Sequence, residues 1–155
     1  MALKRLRNEY KNILKHPNYF YSVRPNENNF LKWDFILLGP PDTIYEGGMF
    51  KGNITFPKNY PERPPQVKFT SELFHPNFYK DGRVCISILH EGEDQYGYEK
   101  SSERWNISLS FDSIMMSILS ILAEPNLESP ANMDSALMWR NEFNKFKTKV
   151  YRIIA

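Results

Sequence analysis

Cysteine occurs once in these 155 residues, as Cys85, and only His16, His75 and His90 could serve it as a histidine base. A thiol titrates near pH 8.5 when unperturbed, which makes it both a nucleophile and a good leaving group. A lone cysteine is most often a small buried hydrophobe. This one follows Asp81-Gly82 in an irregular stretch, the kind of segment where functional residues concentrate. Hydrolysis would require a histidine base held by a third group. His16 stands at the end of a basic helix, and Pro76 gives His75 a rigid turn role. His90, five positions past Cys85, does not share a strand face with it. One cysteine and scattered histidines match no metal-ligand spacing, and no C-x-x-C pair is present for redox work. Group transfer remains. The thiol could take an acyl group from another thioester and yield it to an amine. Such a site needs an oxyanion donor more than a strong base, and the Asn77 amide is a candidate.

These residues need elements to hold them. Leu3, Leu6, Tyr10, Ile13 and Leu14 keep helical spacing until His16-Pro17 stops it. The other face carries Lys4, Arg5, Arg7, Lys11 and Lys15 against Glu9. Alternation then predicts a strand through Leu31, Trp33, Phe35 and Leu37, a second through Phe50, Gly52, Ile54 and Phe56, and a third at Val67 and Phe69. Gly39-Pro40-Pro41 and Gly47-Gly48 punctuate them. The plan is α+β, an antiparallel meander with helices packed on one face. His75 to Trp105 is irregular apart from Val84-Cys85-Ile86. Ile114, Met115, Ile118, Leu119 and Leu122 mark a helix capped by Ser110 and ended by Pro125. One last helical stretch aligns Ala136, Trp139, Phe143, Phe146, Val150 and Ile153.

Composition bounds the answer. The length suits one domain spanning 1–155. With 41% hydrophobic and 15% aromatic residues, disorder is not expected. The net charge of +2 is too small to point to nucleic acid. A disulfide scaffold is excluded, so a reducing compartment is expected. Apolar runs such as Phe35 to Leu38 fall far short of a membrane span, and the start has no signal-like core.

His75-Pro76-Asn77, followed eight positions after Asn77 by Cys85 in GRVCISIL, resembles the catalytic signature of ubiquitin-conjugating enzymes. The resemblance runs the length of the chain, through GPPDTIYEGG, FPKNYPERPP, the Trp105 region, Glu124-Pro125-Asn126 and Ser129-Pro130-Ala131-Asn132. It implies a ubiquitin-conjugating fold: an N-terminal helix, a four-stranded antiparallel meander sheet and C-terminal helices. The extra strand is expected around Tyr19 to Arg24, and a break in the C-terminal helical region is implied too. By resemblance Cys85 is the thioester-forming nucleophile. Asn77 stabilises the oxyanion or supports the adjoining loop, or does no more than form that loop. His75 is structural, holding the turn.

The segment from Glu91 to Glu103 resembles the acidic insertion of a subgroup that assembles degradation-signalling chains. The bland reading is a solvated loop. The sharper one is a flap whose His90, Glu93 and Asp94 help orient or desolvate a lysine, which must lose a proton held at about pH 10.4. Many relatives carry Asp just after the Pro-Asn turn, where this chain has Ser129 after Glu128. That leaves open which group orients the lysine. Lys4, Arg5 and Lys11 resemble the activating-enzyme surface. Pro61, Glu62, Arg63, Pro64, Asn106 and Ile107 align with the surface for RING-type ligases, and Glu62 stands where an apolar residue is common. Ser22 aligns with a noncovalent ubiquitin contact of some relatives, though an ordinary exposed serine fits as well.

The expected partners are ubiquitin, its activating enzyme, a RING-type ligase and substrate lysines, with no nucleic acid and no integral membrane segment. No cofactor or metal is expected, because ATP is consumed by the activating enzyme. The expected location is the cytoplasm, with the nucleus or recruitment to the endoplasmic reticulum surface as alternatives. A different ubiquitin-like modifier is the rival within the class. A noncatalytic binding module is the rival outside it.

Overall fold

A computed structural model describes residues 1–91 and 103–155. Helix α1 (Ala2–Lys15) leads into strands β1 (Tyr21–Pro25), β2 (Lys32–Leu38), β3 (Met49–Thr55) and β4 (Gln66–Phe69). A 3-10 turn (Ser87–Leu89) precedes α2 (Phe111–Ala123), α3 (Met133–Asn141) and α4 (Phe143–Ile154). The strands form one antiparallel sheet in the order β1-β2-β3-β4. The expected meander is present, and β1 is the strand that alternation did not reveal.

Period-two burial decides which way the sheet faces. Trp33, Phe35 and Leu37 of β2 are buried between exposed Lys32 and Asp34 and half-buried Ile36 and Leu38. Register sets Tyr21, Leu37 and Phe50 in one row, and Trp33, Ile54 and Val67 in another. Gly52 breaks the apolar series because a Cβ there would stand 2.6 Å from the Phe35 ring. Helices α1, α2 and α4 contribute Leu6, Ile13, Phe111, Ile114, Met115, Ile118, Phe146 and Val150 to the same core. Trp33 sits at its centre, with ring contacts to Tyr10, Phe30, Phe56 and Phe111.

Ser110 caps α2 by accepting from the Ser113 backbone N–H, as its position in the sequence suggested. Two expectations need correction. Leu3 and Leu14 are 43% and 63% exposed, because α1 buries only the stripe of Ala2, Leu6 and Ile13. The single C-terminal stretch that periodicity suggested is two helices, with the break that the resemblance implied. Glu142 leaves helical geometry at φ −141° and ψ 56°, although the apolar period of 3.6 runs straight across it.

Candidate active site

Residues 77–85 are not irregular. They form a small hairpin. The Cys85 N–H donates to the Asn77 carbonyl at 2.8 Å, Phe78 pairs with Val84, and the Tyr79 N–H donates to the Arg83 carbonyl at 2.8 Å. Gly82 N–H closes the turn onto Tyr79 O at 3.0 Å, and Gly82 takes a positive φ of 98°. Lys80-Asp81-Gly82 is therefore a three-residue hairpin loop with glycine at its left-handed position. The interval of eight between Asn77 and Cys85 follows from this register: the two residues face each other across the ladder, with Tyr79 opposite Arg83. Positions 77, 79, 83 and 85 share one face. The returning arm docks on β4, where Lys68 bridges to Arg83 and Phe69 N–H donates to Gly82 O at 2.8 Å.

His75 anchors the hairpin from below. It is fully buried, its Nδ1 accepts from the Asn77 N–H at 2.9 Å, and its Nε2 meets the Ile121 carbonyl at 2.6 Å. Nε2 therefore carries the hydrogen, which fixes the neutral tautomer. Burial pushes its pKa down to about 4, with the Ile121 carbonyl acting in the other direction. Such a ring is no base at neutral pH. The Pro76 carbonyl accepts from Ala131 N–H at 2.8 Å and Asn132 N–H at 3.0 Å. Asn77, 2% exposed, gives one Nδ2 hydrogen to Asn126 O at 2.8 Å and accepts Asn126 N–H on Oδ1 at 2.9 Å. His75-Pro76-Asn77 thus holds the end of α2 and the 124–132 loop in place beside the thiol.

Cys85 is half-buried and opens on a groove of about 260 Å³ with Asn77, Ser87, His90, Ser117, Ser120, Asn126 and Ser129 along its walls. His90 reaches this groove because the 3-10 turn shortens the path from Cys85, which a strand-spacing argument could not anticipate. Glu93 and Asp94 lie outside the described residues. Tyr79 had not been singled out from the sequence. Its pKa is raised, by the charge of Cys85 first and then by burial, against an opposing pull from Arg83. The Asp81-Gly82 pair was the available signal, since a hairpin there brings positions 79 and 85 to one face.

The expected partner surfaces adjoin one another. Lys4 and Lys11 are exposed, but Arg5 is engaged within the fold, bonded to Glu9 and to the carbonyls of Ile107 and Leu109. Glu9 also accepts from the Tyr60 hydroxyl and from the Phe111 N–H at the start of α2. Trp105 Nε1 donates to Pro61 O at 2.8 Å. Arg63 grips Glu91 with two bonds, at 2.9 and 3.1 Å, and this holds the Glu91 carboxyl below its usual range. Glu62 is exposed and so is Ser22, on the outer sheet face beside Arg24, Asp34 and Lys51.

A thiol on a hairpin with an amide fixed beside it is an arrangement suited to acyl transfer through the cysteine. The family model "Ubiquitin-conjugating enzyme" matches residues 5–154. The chain belongs to that family, whose members are acyl transferases working through a cysteine thioester. It is 50% identical over 151 residues to "Ubiquitin-conjugating enzyme E2 7" of Arabidopsis thaliana, covering 96% of this chain and 91% of the relative. It is 50% identical over 147 residues to "Ubiquitin-conjugating enzyme E2 G2" of Homo sapiens, covering 94% and 89%. The Bos taurus protein of that name is 48% identical over 155 residues, covering 99% and 94%. Among the described residues, no group of His, Cys, Asp and Glu could hold a metal ion, and no helix is long and apolar enough to cross a membrane.

Proposed function

We propose that Cys85 carries ubiquitin as a thioester and passes it to lysine amines with a RING-type ligase, building polyubiquitin for proteasomal degradation in the cytoplasm. In the first step the Cys85 thiolate attacks the activating enzyme's thioester and displaces that enzyme's thiolate. In the second a lysine amine attacks the new thioester, the C–S bond breaks onto Cys85, and the amine proton leaves to solvent. The reading requires no cofactor or metal in this chain. The observation that carries it is the placement of the chain's sole thiol, half-exposed, across a hairpin ladder from an immobilised Asn77.

Asn77 suits both of its expected roles. Its two bonds to Asn126 support the loop, and the second Nδ2 hydrogen stays available for the oxyanion. His90 and Ser129 border the groove along which the lysine would enter. Lys4 and Lys11 serve the activating enzyme, with Arg5 fixing the neighbouring 106–109 loop. Pro61, Glu62, Arg63, Pro64, Asn106 and Ile107 form the ligase surface. The similarity to relatives called E2 G2 supports ubiquitin as the modifier.

The test is charging with activating enzyme, ATP and ubiquitin, resolved with and without reductant. Wild type should give a reductant-sensitive adduct, Cys85→Ser a reductant-resistant one and Cys85→Ala none. A folded wild type that takes up no ubiquitin would refute the reading.

A further inference from the structure

The expected ligase surface and the groove of the thiol meet at Glu91. Ser87 and Ile88 of the 3-10 turn, with His90 after it, form one wall of the groove beside Cys85. No residue of that turn is fully buried. Ile88 and Leu89 lean on the core from outside. Behind Leu89 lies an open cleft of about 380 Å³ that Phe56, Pro57, Arg63 and Glu91 also border. Packing alone therefore leaves the turn room to move.

Polar bonds tie its end down. His90 O accepts the Trp105 N–H at 2.9 Å, and Glu91 O accepts from Arg104 Nη2 at 2.8 Å. The Glu91 carboxylate takes the Arg63 fork, Nη2 to Oε1 at 2.9 Å and Nε to Oε2 at 3.1 Å. Arg63 reaches out from a fixed mount, since the Glu62 N–H donates to Asn59 O at 2.9 Å and the Trp105 indole donates to Pro61 O at 2.8 Å. Buried Trp105 thus holds His90 with its backbone and the mount of Arg63 with its ring. Two parallel bonds from a planar guanidinium fix direction as well as distance, which a lysine ammonium does not. Among the described residues, Arg63 is the one cation paired with the Glu91 carboxylate.

Taking the groove as the path of the incoming lysine, we propose that Arg63 is a positioning residue for transfer: through Glu91 it holds His90 and the 3-10 turn against the groove of Cys85. Arg63 touches neither the thiol nor the lysine. Its part is to keep the wall along which the amine approaches from swinging into the cleft behind it. One side chain thereby belongs both to the expected ligase surface and to the support of the reacting groove.

Two measurements on the full-length protein test this. The first needs no partner: hydrogen exchange of the Trp105 amide, whose bond to His90 O reports how often the end of the turn lifts away. The Arg63 and Glu91 side chains are 60% and 50% exposed, so the fold tolerates their replacement. Arg63→Gln and Glu91→Gln should each speed exchange about threefold, the scale of an exposed ion pair, and Arg63→Lys should restore part of the protection. The double variant should exchange no faster than either single one, and the gap from wild type should narrow in about 1 M salt, which screens exposed charges. The second is discharge of the preformed Cys85 thioester to free lysine, without ligase, so that contacts of Arg63 to a ligase do not enter. Its second-order rate constant should fall by the same factor in the same variants, with Arg63→Lys again between. Wild-type exchange in Arg63→Gln overturns the clamp. Faster exchange with an unchanged lysine rate overturns the positioning role. A double variant worse than either single one shows Arg63 acting without Glu91 and overturns the pairing. A wild type that takes up no ubiquitin counts against the thioester reading, and amide exchange then still decides the clamp.

Discussion

His75 sets a measurable link between acidity and stability. Its ring would titrate near 6.5 in the unfolded chain and at about 4 in the folded one. Between those values the unfolded chain holds more protons, so stability rises with pH across the window and is fully present above about 6.5. The structural reason is the fixed tautomer. Protonating Nδ1 would remove the acceptor of the Asn77 N–H and place a charge in a site closed to water. Linkage between those two pKa values makes the protein about 1.3 kcal/mol less stable at pH 5.5 than at pH 7.5 through this ring alone. The comparison chain is His75→Gln, which can still donate to the Ile121 carbonyl but does not ionise. Urea unfolding followed by tryptophan fluorescence, at both pH values, gives two stability differences. His16, His90 and the carboxylates are common to both chains, so the gap between the differences reports His75. Equal pH dependence in the two chains would refute both the neutral ring and its proposed anchoring of the turn.

Two further substitutions probe the scaffold. Gly82→Ala must place a Cβ at φ 98° and 2.0 Å from the Phe69 carbonyl oxygen, so the hairpin has to leave β4; the expected cost is about 3 kcal/mol in urea unfolding, with slower discharge of the Cys85 thioester to free lysine. Glu9→Ala strips an acceptor, only 11% exposed, from Arg5, the Tyr60 hydroxyl and the Phe111 N–H; it should lower stability by about 3 kcal/mol, and a loss under about 1 kcal/mol would show that the three donors find other partners.

Much of this could be read from residue order, and what could not has physical causes. Strands β2 and β3 alternate cleanly because one face of the sheet is buried and the other is not. Strand β1, with Ser22 and Arg24 outward and a proline at its end, offers five residues of weaker contrast. The break at Glu142 is invisible to periodicity because Trp139, Phe143 and Phe146 pack together across it. Cys85 and Asn77 were found through residue types and spacing, whereas the reason for that spacing needed the hairpin register. Glu9 looked like a stray acid on a basic face. Only the approach of Tyr60 and the start of α2, distant in sequence, makes it a junction. Tyr79 went unnoticed for the same reason: its partner across the hairpin cannot be inferred until the turn is drawn.

The hairpin's seat on β4 has a consequence for solubility. A sheet of four strands has two open edges, and an open edge invites pairing with another chain. At β1 the edge is short and ends in Pro25. At β4 the strand Gln66–Phe69, with Val67 and Phe69 turned to the core, is screened by the returning arm that leads to Cys85. The same segment that presents the thiol shields the sheet from self-association. A lesion that unseats it would therefore expose an apolar strand edge and a reactive sulfur together, so such variants should self-associate and form intermolecular disulfides more readily than the wild type once reducing agent is withdrawn.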